Sequence, residues 1–88
     1  MKIFNQVRWN MLPDDLKVAV ACRYCSLPYF SNLVVQTGLP KTRVHIALNQ
    51  LTDVGRLTEE WQLVDGRWVK VFRYKDIDYI DIIIKELA

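Results

Sequence analysis

Apolar residues recur at three- and four-residue spacing through Val44, Ala47, Leu48 and Leu51, which draws one buried stripe along a helix predicted over residues 41–54. A shorter helix is expected just before it, over Ser31–Thr37, with Leu33 and Val34 turned to the core and the Ser31 hydroxyl capping a first-turn amide. Gly38 ends that helix, because glycine enters the left-handed region at least cost. Leu39 and Pro40 complete the turn, with Pro40 placed at or before the first position of the second helix, where its missing N–H is not needed. Gly55 stops the second helix.

Beyond Gly55 the pattern is that of a hairpin. Arg56–Val64 and Arg67–Tyr74 are rich in Val, Trp, Phe and Tyr and flank Asp65-Gly66, the dipeptide that favours a two-residue hairpin turn. This turn sets the register, opposing Leu57 to Tyr74, Glu59 to Phe72, Trp61 to Lys70 and Leu63 to Trp68. Trp61 and Trp68 are expected to be packing residues, with a partner contact as the sharper alternative.

The two ends are read as helical. Ile3, Phe4, Val7, Met11 and Leu12 follow helical spacing in an N-terminal segment over 1–12, for which a short strand is the other option. Pro13 breaks that segment or opens the next helix, whose start is favoured by Asp14 and Asp15 and whose core stripe is Leu16, Ala19, Val20 and either Tyr24 or Arg23. In residues 76–88, Ile77, Ile80, Ile83, Ile84 and Leu87 share one helical face, while Asp78, Asp81 and Lys85 lie largely opposite.

A short helix, a glycine turn, a longer helix and a hairpin form a recognisable order. The stretch GLPKTRVHIALNQLTDVGRL resembles the winged-helix DNA-binding domains of the MarR and TrmB type, and the likeness covers about Leu12 to Tyr74. Pro40 departs from that pattern, because many such domains have a serine cap there. The resemblance implies an α+β, mainly α fold: a winged helix-turn-helix with a two-stranded β-hairpin wing, completed here by a C-terminal helix.

Eighty-eight residues predict a single domain over 1–88 with a small core. With 51% hydrophobic and 25% charged residues, the chain is globular rather than disordered. No apolar run approaches the roughly 20 residues that span a bilayer, and MKIFNQVRWN lacks the apolar segment of a signal peptide, so no membrane association and a cytoplasmic location are expected. The net charge of +2 is unevenly placed: residues 1–75 hold 11 Lys and Arg against 6 acids, a balance of +5, and residues 76–88 hold 1 Lys against 4 acids, a balance of −3. A basic body with an acidic tail suits a protein whose tail points away from nucleic acid. Cys22 and Cys25 form a C-x-x-C inside a predicted helix. With one His and no further Cys they do not complete a usual zinc set, so no metal or cofactor is expected, and they read as two partly buried small side chains or as a redox-sensitive pair.

With the stripe of the second helix inward, Thr42, His45, Ile46 and Asn49 face outward, and Lys41 and Arg43 stand at the helix start. Arg43 and Asn49 match guanine and adenine edges, Ile46 a thymine methyl, and Lys41 and Thr42 phosphate at the positive end of the helix dipole. A merely solvated polar face is the plain alternative, and His45 alone reads as a surface residue. The resemblance adds the wing, where Arg67 at the tip is the candidate for backbone or minor-groove contact and Lys70 follows along the strand. Nothing assembles a nucleophile, base and orienter, so the chain is read as a non-enzyme. The expected function is sequence-specific double-stranded DNA binding by a transcriptional regulator. The alternative is a winged-helix protein–protein interaction module of a larger assembly. Ile77, Ile80, Ile83, Ile84 and Leu87 exceed what one small core can bury, so a homodimer is expected through this C-terminal helix with help from residues 3–12. No small-molecule effector follows from the sequence.

Overall fold

The computed structural model describes residues 4–88. The elements run α1 (Gln6–Met11), α2 (Asp14–Tyr24), α3 (Phe30–Thr37), α4 (Lys41–Asp53), β1 (Leu57–Val64), β2 (Arg67–Tyr74) and α5 (Ile77–Leu87). The fold is therefore α+β and mainly helical, with one antiparallel hairpin and a C-terminal helix. No helix among the described residues is long and apolar enough to cross a membrane.

Helix α2 is the axis on which the others pack, with α3, α4, β2 and α5 all against it. Five consecutive residues, Val18 to Cys22, are buried. Their small volumes at Ala19, Ala21 and Cys22 let several neighbours approach at once. The expected stripe was too narrow: Leu16 is half-buried, and both Arg23 and Tyr24 are exposed. Arg23 instead binds the Asp81 carboxylate through Nε at 3.0 Å and Nη2 at 3.4 Å, which ties α2 to α5 across the surface.

Helix α3 begins one residue earlier than expected. Tyr29 precedes it in extended conformation because its backbone pairs with Val71 of β2. Ser31 thus falls inside the first turn, exposed and with no capping bond, and the Asn32 amide secures the entry by donating to the Leu27 carbonyl at 3.0 Å. Buried Thr37 donates to the Leu33 carbonyl at 2.7 Å, and Gly38 ends the helix at φ 71°. A Cβ at Gly38 would meet nothing within 4 Å, so only backbone strain opposes a side chain there. Gly38→Ala is expected to cost about 1–2 kcal/mol and to lower the thermal midpoint by at least roughly 4 °C, measured by circular dichroism. An unchanged midpoint would show that the left-handed turn is not required.

Helix α4 buries Val44, Ala47, Leu48 and Leu51, the stripe the spacing predicts. It stops in a Schellman arrangement: Gly55, at φ 74°, donates to the Thr52 carbonyl at 3.0 Å, and Arg56 donates to the Leu51 carbonyl at 2.8 Å. The hairpin has the expected register, from Leu57 opposite Tyr74 to Val64 opposite Arg67. Asp65 and Gly66 both have positive φ, 49° and 78°, as a type I′ turn requires. Leu57, Phe72 and Tyr74 at the hairpin root are buried. The Phe72 N–H donates to the Pro28 carbonyl at 2.9 Å beside the Tyr29–Val71 bridge.

The outer half of the hairpin overturns the packing expectation. Trp61, Leu63 and Trp68 keep 63%, 60% and 65% of their surface exposed. Each strand is eight residues long, and only the root has helices beneath it, so the core face of the hairpin continues past the body.

At the other end, the Asp76 carboxylate caps α5 by accepting from the Tyr79 N–H at 3.1 Å. Ile80 and Leu87 are buried in the chain's own core, and Ile83 and Ile84 pack against it half-buried. Two of the five residues expected at a dimer interface are therefore interior, and the exposed apolar residues of α5 are Ile77, Tyr79 and Ile82. Helix α1 also has a different phase from the one expected. Asn5 accepts from the Arg8 N–H at 3.2 Å and starts the helix after Phe4, so Trp9 turns inward onto the Phe4 ring while Val7 and Met11 face outward. Ile3 lies outside the described residues. Two late α5 carbonyls are met from this segment: Leu87 accepts from the Asn5 N–H at 2.6 Å and Glu86 from Arg8 Nη1 at 2.8 Å.

Candidate nucleic-acid interface

Because the apolar stripe of α4 is fully buried, the helix presents Lys41, Thr42, Arg43, His45, Ile46 and Asn49 to solvent, all six exposed. Pro40 leads into the helix with no side-chain cap, so the first-turn amides beside Lys41 and Thr42 point outward at the positive end of the helix dipole. Further along, the imidazole of His45 lies on the Phe30 ring, 4.1 Å between centroids at 24°, which fixes one edge of the surface. Phe30 carried no signal in the sequence, because nothing in local spacing brings the start of α3 beside the middle of α4.

The hairpin stands on the same side. A groove of about 470 Å³ separates it from α4, with His45, Asn49 and Thr52 along one wall and Glu59, Lys70 and Phe72 along the other. Six of the eight predicted contact residues thus lie on α4, Lys70 borders the groove beside it, and Arg67 stands out at the end of the hairpin, exposed.

The electrostatics are more balanced than the residue count suggests. Arg43 grips Asp14 at the start of α2 through Nε to Oδ2 at 2.7 Å and Nη2 to Oδ1 at 2.6 Å. These hydrogen bonds, and the charge behind them, hold the Asp14 carboxyl below the usual range and raise the Arg43 guanidinium. Lys70 meets Glu59 at 3.5 Å and sits 5.5 Å above the Trp61 ring, and Arg73 meets Glu60 at 3.0 Å. Among the described residues, Lys41 and Arg67 make no ion pair. Exposed pairs of this kind are held only weakly in water and exchange readily. With these pairs counted, and Asp65 in the turn beside Arg67, the face is modestly positive at the α4 start and near neutral along the hairpin.

The arrangement offers donors and acceptors on an exposed helix, an apolar side chain at Ile46, and two cations set apart across a groove. Comparison with known proteins finds no matching family model, curated protein or solved structure.

Proposed function

We propose that the chain is a winged helix-turn-helix DNA-binding regulator, of the kind its sequence resembles, which places α4 in the major groove and the hairpin along the backbone or minor groove. The observation that carries this reading is the shared orientation of the unburied face of α4 and the hairpin, with Lys41 at one edge and Arg67 at the other. Arg43 serves as a reader only by exchanging Asp14 for a base edge. Lys41 and Thr42 meet phosphate, Asn49 and Ile46 meet base edges, and Arg67 follows the minor groove.

Duplex affinity measured by fluorescence anisotropy at low and moderate salt tests the proposal. Binding is expected to weaken steeply with salt. Arg67→Ala is expected to weaken all sequences similarly and to reduce the salt slope by about 1, whereas Arg43→Ala relaxes preference at one base position. The proposal fails if no duplex binds at low salt, where phosphate contacts should appear first.

The second reading, a protein-interaction module, draws support from the paired cations and from the exposed Trp61, Leu63 and Trp68. Homodimerisation through α5 is also part of the proposal. Its surface is now Ile77 and Ile82, the half-buried Ile83 and Ile84, and Val7 and Met11 of α1.

A further inference from the structure

We infer that the exposed hairpin face is a base-stacking surface, so that the preferred ligand is a DNA duplex containing locally unpaired bases; this rests on the DNA-binding reading and specifies its substrate. The register places Trp61 opposite Lys70 and Leu63 opposite Trp68, so these four side chains form a block on one face of the sheet. The same face carries Leu57, Phe72 and Tyr74 at the root, where it is buried, and it continues outward uncovered. Two indoles and a leucine left uncovered on one face make an apolar patch of the kind that marks an interaction site.

Three observations select nucleobases. The block shares Lys70 with the groove wall and adjoins Glu59 and Phe72 on it, opposite His45 and Asn49, so a duplex lying on α4 runs alongside it. The Lys70 ammonium, 5.5 Å above the Trp61 ring, sets a cation next to one π-face of the block, the combination that holds a phosphate backbone while its bases stack. An intact duplex offers no free base faces, and its minor groove, only about 6 Å wide, suits a slim arginine better than two indoles and a leucine on one sheet face. Unpaired bases supply the missing faces.

The full chain is titrated with a short duplex, the same duplex with a central mismatched bubble, and the corresponding single strand, following both anisotropy and intrinsic fluorescence. Trp9 is buried on Phe4, so quenching reports on Trp61 and Trp68. The bubble duplex is expected to bind roughly tenfold more tightly than the intact one and to quench the indoles, as one or two base stacks imply. Trp61→Leu with Trp68→Leu, at positions outside the core, should leave intact-duplex affinity within about twofold and remove the preference. Equal affinity for bubble and intact duplex overturns the inference while leaving DNA binding in place, as does a preference that survives in the double variant. Self-association of the wild type that disappears in the double variant assigns the face to a second copy and also overturns it. Failure to bind any of the three probes removes the DNA-binding reading itself, and this inference with it.

Discussion

Ile80→Asp is expected to abolish cooperative thermal unfolding above room temperature, whereas Ile82→Asp, two positions along the same helix, should leave the midpoint within roughly 4 °C of wild type. Ile80 is 0% exposed and Ile82 is 56% exposed. At position 80 the substitution removes a fully buried aliphatic group, a loss of about 1.5–3 kcal/mol. It also forces a carboxyl into the core, which adds several kcal/mol whether the group stays charged or is held protonated. A domain this small has a total stability near the lower end of the usual range of about 5–15 kcal/mol, so the combined cost matches or exceeds it. Position 82 meets water in the single chain, so the two melts are compared at a concentration low enough to keep the chain monomeric. Circular dichroism melts of the two variants decide the matter, and a melt of Ile80→Asp close to wild type would contradict the interior placement of this residue. The pair also separates folding from association. Substitution at 80 perturbs the monomer itself, while Ile82→Asp in sedimentation equilibrium reports on pairing through α5: a wild type that stays monomeric at tens of micromolar rules the dimer out.

Native Cys22 should resist alkylation almost completely at pH 8, while Cys25, half-buried at the end of α2, accepts the reagent. Burial chiefly, with the neighbouring Cys25 adding to it and Arg73 opposing it, pushes the Cys22 thiol from 9.0 up to about 12. Only the thiolate attacks iodoacetamide, so a rise of that size removes the reactive form by roughly a thousandfold, beyond the steric protection of the core. Mass spectrometry is expected to find one addition in buffer, on Cys25, and two in guanidinium chloride. Comparable native labelling of both thiols would contradict the burial of Cys22. The same shift has a consequence for stability: because the folded value lies above the unfolded one, this contribution is intact below about pH 9 and is lost as pH rises from there through about 12. The arrangement favours the reading of these cysteines as packing residues over a redox pair.

Legibility in the sequence followed how local the determining physics is. The hairpin register was readable because the positive-φ Asp-Gly turn that sets it acts within a few bonds, and α4 because one face is buried and the other solvated. Helix α2 was not readable in the same way. A helix covered by α3, α4, α5 and β2 has no single stripe, and the small Ala19, Ala21 and Cys22 give little contrast with its flanks. The phase of α1 depended on the Asn5 cap and on Trp9 stacking on Phe4, neither of which aliphatic spacing reveals. At the candidate interface the identities of the outward residues were legible, but their state was not. Arg43 and Asp14 are 29 positions apart, so the ion pair that occupies Arg43 appears only when α2 and α4 are brought together. The exposure of Trp61 and Trp68 is not legible in the sequence either, because whether a strand outruns the helices beneath it is a matter of relative lengths in three dimensions.

The hairpin is attached at the Pro28–Tyr29 corner. Its root is clamped by the Phe72–Pro28 hydrogen bond and the Tyr29–Val71 bridge, while the outer strands and the Asp65-Gly66 turn project beyond the helices. The hairpin root is thus anchored at the residue immediately before α3, and because α3 leads through Gly38 into α4, one corner fixes where the hairpin stands relative to the helix pair.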